Sequence, residues 1–212
     1  MKINGYVLLG DVVGSRSIEN RRVFDGKLEK AVKAVSTKYA ADFRMPPSTW
    51  KGIDELAGIL DNILSIYKIV DEFGDLILPE RMRFVVARGS IEIPKNSGDI
   101  READGDAFHE AAAMMLKAKA EKWMFRLKSG NEVHDMAVNT QINALLYIKS
   151  TWTENQRNIY RQYNELKTQE EVAKKTKISQ QSISKSLQSI RAEQVLKLED
   201  EFQKWLHATY RH

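Results

Sequence analysis

The sequence predicts an α+β fold, one β-sheet with helices packed on it, followed by an all-helical carboxy-terminal segment. Three observations lead there. Up to about residue 150, short apolar runs bounded by glycine alternate with helical stripes. From about Thr151 onward only helical periodicity remains. The 212 residues are 42% hydrophobic and 29% charged, so the chain can bury a core and suits one large domain or two small ones. These features divide it into residues 1–150, an α+β domain, and residues 151–212, a helical domain.

Tyr6 to Leu9 is an apolar run between Gly5 and Gly10 and reads as a buried strand. It runs into Gly10-Asp11-Val12-Val13-Gly14-Ser15-Arg16. Asp11 there either presents a carboxylate at a sheet edge or ties down the following loop. Asn20 to Tyr39 is helical, with Phe24, Leu28, Val32, Val35 and Tyr39 on one stripe. Pro46-Pro47 make any strand between Phe43 and Lys51 an edge strand or an interrupted one. Asp54 then stands at a glycine-flanked turn, and Leu56 to Phe73 is predicted to be a helix. Met82 to Ile93 is β-rich, either a bent strand or a tight hairpin around Gly89. A polar loop over 94–105 leads into a helix to about Ala120. Trp123 to Leu127 is a further strand, and Val133 to about Lys149 a helix with Met136, Ile142, Leu145, Leu146 and Ile148 available for burial.

Composition narrows the function classes. With no cysteine, disulfides and thiolate metal sites are excluded, which suits a cytoplasmic protein. No stretch approaches the ~20 apolar residues of a membrane span. The net charge of +4 is compatible with a polyanionic partner.

Thr168 to Leu187 reads as a helix-turn-helix. Thr168 and Ser179 are capping residues, Lys177 lies at the turn, and Ile183 and Leu187 point inward at i, i+4. Lys177, Ser179, Gln180, Gln181, Ser182, Ser184 and Lys185 are left as candidate DNA contacts, since glutamine can pair bidentately with adenine. Residues 151–191 carry Arg157, Arg161, Lys167, Lys174, Lys175, Lys177, Lys185 and Arg191 against Glu154, Glu165, Glu170 and Glu171, a surplus equal to the whole chain's +4. The apolar stripe Val195, Leu198, Phe202, Trp205 and Leu206 suits a homodimer contact.

With those residues in view, the chain resembles the SatD family over nearly its full length. The matching motifs are Gly10-Asp11-Val12-Val13-Gly14-Ser15, Asp54-Glu55-Leu56-Ala57-Gly58, Gly105-Asp106-Ala107-Phe108-His109-Glu110-Ala111 and the terminal helix pair. The first three also resemble the palm-like domain of class III nucleotidyl cyclases. That resemblance implies a ferredoxin-like, palm-like sheet in which Asp11 and Asp54 are metal ligands for Mg²⁺ or Mn²⁺. It also implies a nucleotide held by Gly14, Ser15, Arg16 and His109. Two departures stand out. The turn Gly52-Ile53-Asp54-Glu55-Leu56-Ala57 has one residue more than the family's Gly-Asp-Glu-Phe-Gln, and His109 and Ala113 stand where cyclases carry an asparagine and an arginine. The expected function is a DNA-binding transcriptional regulator with a nucleotide-sensing palm-like domain. The alternative is a metal-dependent nucleotidyl cyclase-like or nucleotidyltransferase-like enzyme.

Overall fold

The computed structural model describes residues 2–50, 52, 54–94 and 98–210. Ile53 of the predicted turn and 95–97 of the predicted polar loop lie outside the described residues. The chain divides into two compact units, Met1–Asn143 with Tyr210–His212, and Ala144–Thr209.

The first unit is built on a five-stranded sheet of order β2-β3-β1-β4-β5. β1 (Lys2–Val12) is central and pairs antiparallel with β3 (Glu55–Leu60) and β4 (Met82–Glu92). β2 (Phe43–Thr49) lies outside β3, and β5 (Phe125–Lys128) runs parallel to β4. With α1 (Arg21–Lys38) between β1 and β2, and α2 (Ile66–Leu76) between β3 and β4, the order of the first six elements is that of the split βαβ arrangement. Pro46 and Pro47 sit on the edge strand, within a register irregularity between Met45 and Ser48. Proline cannot donate to a ladder, so an edge accommodates it.

Strand alternation sorts the core into two faces. Val7 and Leu9 of β1, Ala57 and Ile59 of β3, and Val85, Ala87 and Ile91 of β4 pack on α3 (Asp106–Ala120) through Ala107, Phe108, Ala111, Met114, Met115 and Ala118. On the opposite face Phe84 meets Phe73 of α2 at a ring-centroid distance of 5.3 Å. The start of α3 is docked closely. A Cβ on Gly105, whose φ is +129°, would stand 2.5 Å from the Ser90 carbonyl oxygen. That docking fixes where the other end of α3 falls.

The predicted helix over Leu56–Phe73 is corrected. Leu56–Leu60 is part of β3, and the helix starts at Ile66. A continuous apolar run fits a buried strand and a buried helix equally well by periodicity alone. Asp61 and Asn62 end the strand, and the Asn62 carboxamide accepts from the Leu64 N–H at 3.0 Å. Met82–Glu92 is one strand rather than a hairpin.

α4 (Glu132–Ser150) follows β5. Met136, expected inside, is 64% exposed, while Ile142 and Leu145, also expected inside, are buried next to a polar row on the same helix. Asn139 accepts from the Leu127 N–H at 2.6 Å and donates to the Leu127 carbonyl at 3.1 Å. Asn143 accepts from the Met124 and Phe125 N–H groups and donates to the Phe125 carbonyl at 2.8 Å. Asp135 accepts from the Ser129 N–H and hydroxyl. One face of the helix thus satisfies the open edge of β5, which would otherwise expose unpaired backbone groups.

The second unit holds α5 (Glu154–Leu166), α6 (Gln169–Thr176), α7 (Gln180–Ser189) and most of α8 (Ala192–Tyr210). Thr153 and Gln156 form a capping box on α5. Thr168 caps α6, Lys177 turns the chain at φ +59°, and Ser179 caps α7. Val172, Ile183, Leu187, Val195, Phe202 and Leu206 are buried. Beside them Lys149 is buried against Glu199 at 2.5 Å, and the Tyr160 hydroxyl donates to the same carboxylate at 2.7 Å.

Candidate functional site

The site lies where β1 ends and β3 and β4 begin. Register places Glu55, Asp11 and Arg83 side by side on three adjacent strands. Asp11 and Arg83 are buried, at 7% and 8% exposure. Lys119, in the last turn of α3, reaches the same place. Its Nζ is 2.7 Å from Asp11 Oδ1 and 3.9 Å from Glu55 Oε1. Arg83 Nη1 is 3.5 Å from Asp11 Oδ2, while its Nε donates to the Trp123 carbonyl at 2.7 Å. Burial pushes the Arg83 guanidinium below its usual range, and Asp11 opposes that shift. Two carboxylates therefore meet two cations, which is how a charge row at a sheet end avoids an uncompensated buried charge.

Asp54 is arranged differently. Its carbonyl accepts from the Val12 N–H at 3.1 Å, so it lies beside the end of β1. Its carboxylate, however, accepts from the Ser15 hydroxyl at 2.5 Å. Successive residues of an extended chain face opposite ways, and it is Glu55 that shares Lys119 with Asp11.

The loop leaving β1 is held by the Val13 N–H, which donates to the Arg81 carbonyl at 2.8 Å. Gly14 is left-handed, φ +70°, and opens a 3-10 turn at Ser15–Ser17. Among the described residues the N–H groups of Gly14, Ser15 and Arg16 take no protein partner, and Arg16 and Arg81 are exposed without an ion pair. His109 stands elsewhere. It is exposed near the start of α3, 3.4 Å from Asp104, ten residues before Lys119. At 1.5 Å rise per residue that is about 15 Å along the helix.

The family resemblance implies divalent ions on Asp11 and Asp54. The donors do not fit that role. Both Asp11 oxygens face protein cations, and Asp54 is bound to Ser15. Among the described residues no group of three or more His, Asp or Glu is placed to hold a metal ion.

Glu55, Arg83, Lys119 and Arg81 were not anticipated from sequence. The usable signal was a charge inside an apolar strand run, Asp11 in one and Arg83 in another, since such a charge needs a partner.

Fold and site together define an α+β protein with a split βαβ core and an ion-paired carboxylate at the sheet's end. The SatD family model matches residues 6–203, and the chain belongs to the SatD family. No curated protein matches the chain. Among solved structures, a bacterial light-regulated adenylyl cyclase is similar at 12% identity and a TM-score of 0.44, over 60% of this chain and 76% of that one. A second structure described in the same words gives 11% identity and a TM-score of 0.43, over 60% and 43%. The guanylyl cyclase Cya2 gives 10% and 0.36, over 55% and 71%.

These findings correct the expected main function, a DNA-binding transcriptional regulator. The matched family is described only as the SatD family, and the solved structures named are described as cyclases. Lys174 pairs with Glu170 at 2.8 Å and Lys175 with Glu165 at 3.5 Å. Ser179, Gln180, Gln181, Ser182 and Lys185 are exposed and Ser184 is half-buried. Exposure alone assigns them no ligand.

Proposed function

We propose that the chain is a cyclase-like nucleotide-binding protein whose first unit receives the phosphates of a nucleoside triphosphate at Gly14–Arg16. The observation that carries this reading is the loop itself. Three successive main-chain N–H groups have no protein partner among the described residues, and the exposed guanidinium groups of Arg16 and Arg81 belong to the same loop pair. Successive backbone donors and planar arginine forks suit phosphate oxygens. Gly14 supplies the left-handed turn that starts the donor run.

The test is a titration of a fluorescent nucleoside triphosphate against the full chain, with Arg16→Ala and Arg81→Ala beside it. A hydrogen bond to a charged group contributes about 1.5–3 kcal/mol. Each variant should therefore lose affinity by about tenfold or more. Absence of saturable binding by the unaltered chain, or equal binding by all three proteins, sinks the reading.

A further inference from the structure

We infer that Lys119 is the built-in counter-cation of the Asp11–Glu55 pair and stands in the place a divalent ion would take. The site therefore excludes divalent ions. If the nucleotide reading above holds, the phosphates are received without a metal.

Four features combine. Register makes Asp11 and Glu55 direct cross-strand neighbours. Two like charges so placed repel unless a cation lies between them. Lys119 Nζ supplies that cation, at 2.7 Å from one carboxylate and 3.9 Å from the other. The remaining oxygen of Asp11 faces Arg83, itself anchored on the Trp123 carbonyl. Lysine in the last turn of α3 is further favoured by the helix dipole. A divalent ion at Asp11 would find both carboxylate oxygens already faced by protein cations. Lys119 is 39% exposed along its side chain, so substitution there removes the cation without opening the apolar core.

The experiment measures Mn²⁺ uptake by the full chain, from the loss of the free-ion paramagnetic resonance signal, with no nucleotide present. The proteins are the unaltered chain, Lys119→Met, Lys119→Ala, Asp11→Asn and the double variant Lys119→Ala/Asp11→Asn. The unaltered chain should take up no equivalent at Asp11. Both single Lys119 variants should gain a site at least tenfold tighter than any in the unaltered chain, and Asp11→Asn should abolish it. Uptake by the unaltered chain that Asp11→Asn removes would falsify the inference, as would failure of folded Lys119 variants to gain a site. Far-ultraviolet circular dichroism decides whether they are folded. If they are not, the comparison of the unaltered chain with Asp11→Asn decides alone. A parallel nucleotide titration in EDTA should leave affinity unchanged. If no nucleotide binds in any condition, the nucleotide reading fails while the Mn²⁺ result for Lys119 stands.

Discussion

Arg83 is the side chain on which the charge row turns. It is buried, it answers Asp11 on one side, and it satisfies the Trp123 carbonyl on the other. Replacing it with leucine leaves Asp11 with Lys119 alone and removes a donor from Trp123. Breaking a buried pair from one side costs about 3–5 kcal/mol. Urea unfolding of Arg83→Leu should show a loss of that order. The double variant Arg83→Leu/Asp11→Asn should lose less than the two single losses combined, because neither charge is then left alone. Equal and additive losses would mean that the two do not interact. At this scale the sequence pointed to Asp11 and was silent on its partners. The acids at Asp54 and Glu55 are neighbours in sequence, and only strand register decides which of them lies opposite Asp11.

Among the elements, β5 and α4 show why apolar periodicity reads some helices and misreads others. α1 buries Phe24, Leu28, Ala31 and Val35 against an apolar layer, and its stripe was visible beforehand. α4 turns Asp135, Asn139 and Asn143 toward a strand edge, whose demand is for hydrogen bonds. Counting hydrophobic residues cannot register such a face. Asn139→Ala leaves the Leu127 N–H and carbonyl without their partner, at about 1–3 kcal/mol for a buried orphaned group. Amide exchange at Leu127 should accelerate correspondingly, with β1 amides protected as before. Unchanged exchange at Leu127 would show that the carboxamide is replaceable by water. The start of α3 is as exacting in another way. Gly105→Ala meets the Ser90 carbonyl at a distance no Cβ tolerates, and its φ of +129° is strained for alanine. A loss of about 2 kcal/mol or more in thermal or urea unfolding is expected from overpacking and strain combined.

At the scale of the whole molecule the chain forms two compact units that divide between Asn143 and Ala144, within α4. No helix among the described residues is long and apolar enough to cross a membrane. The second unit places a lysine in its interior, where Lys149 is 2% exposed. Glu199→Gln removes the carboxylate that faces it, and a loss of about 3 kcal/mol is expected for a buried pair broken from one side. Exchange should rise at Tyr160 and across α8 while β1 and β4 keep their protection. Uniform loosening of every element would show instead that the molecule unfolds as a single cooperative body. At this scale the sequence conveyed the α+β layout and the all-helical end. Its emphasis on the helix pair as the seat of function rested on the spacing of caps, turn and apolar residues and on the local surplus of positive charge. Composition counts charges and does not show which of them, like Lys174 and Lys175, are already paired.

α3 also works as a gauge. From Asp106, beside Ser90, to Lys119, beside Asp11 and Glu55, it spans thirteen steps, about 20 Å at helical rise. β4 covers the same ground from Ser90 to Arg83 in seven strand steps, about 23 Å. The two lengths are commensurate, so the helix delivers its ammonium group where the strand delivers its guanidinium. One residue added to the middle of α3 would advance Lys119 by about 1.5 Å and swing it by about 100°. The carboxylate pair would then lose its resident charge without any change to the pair itself.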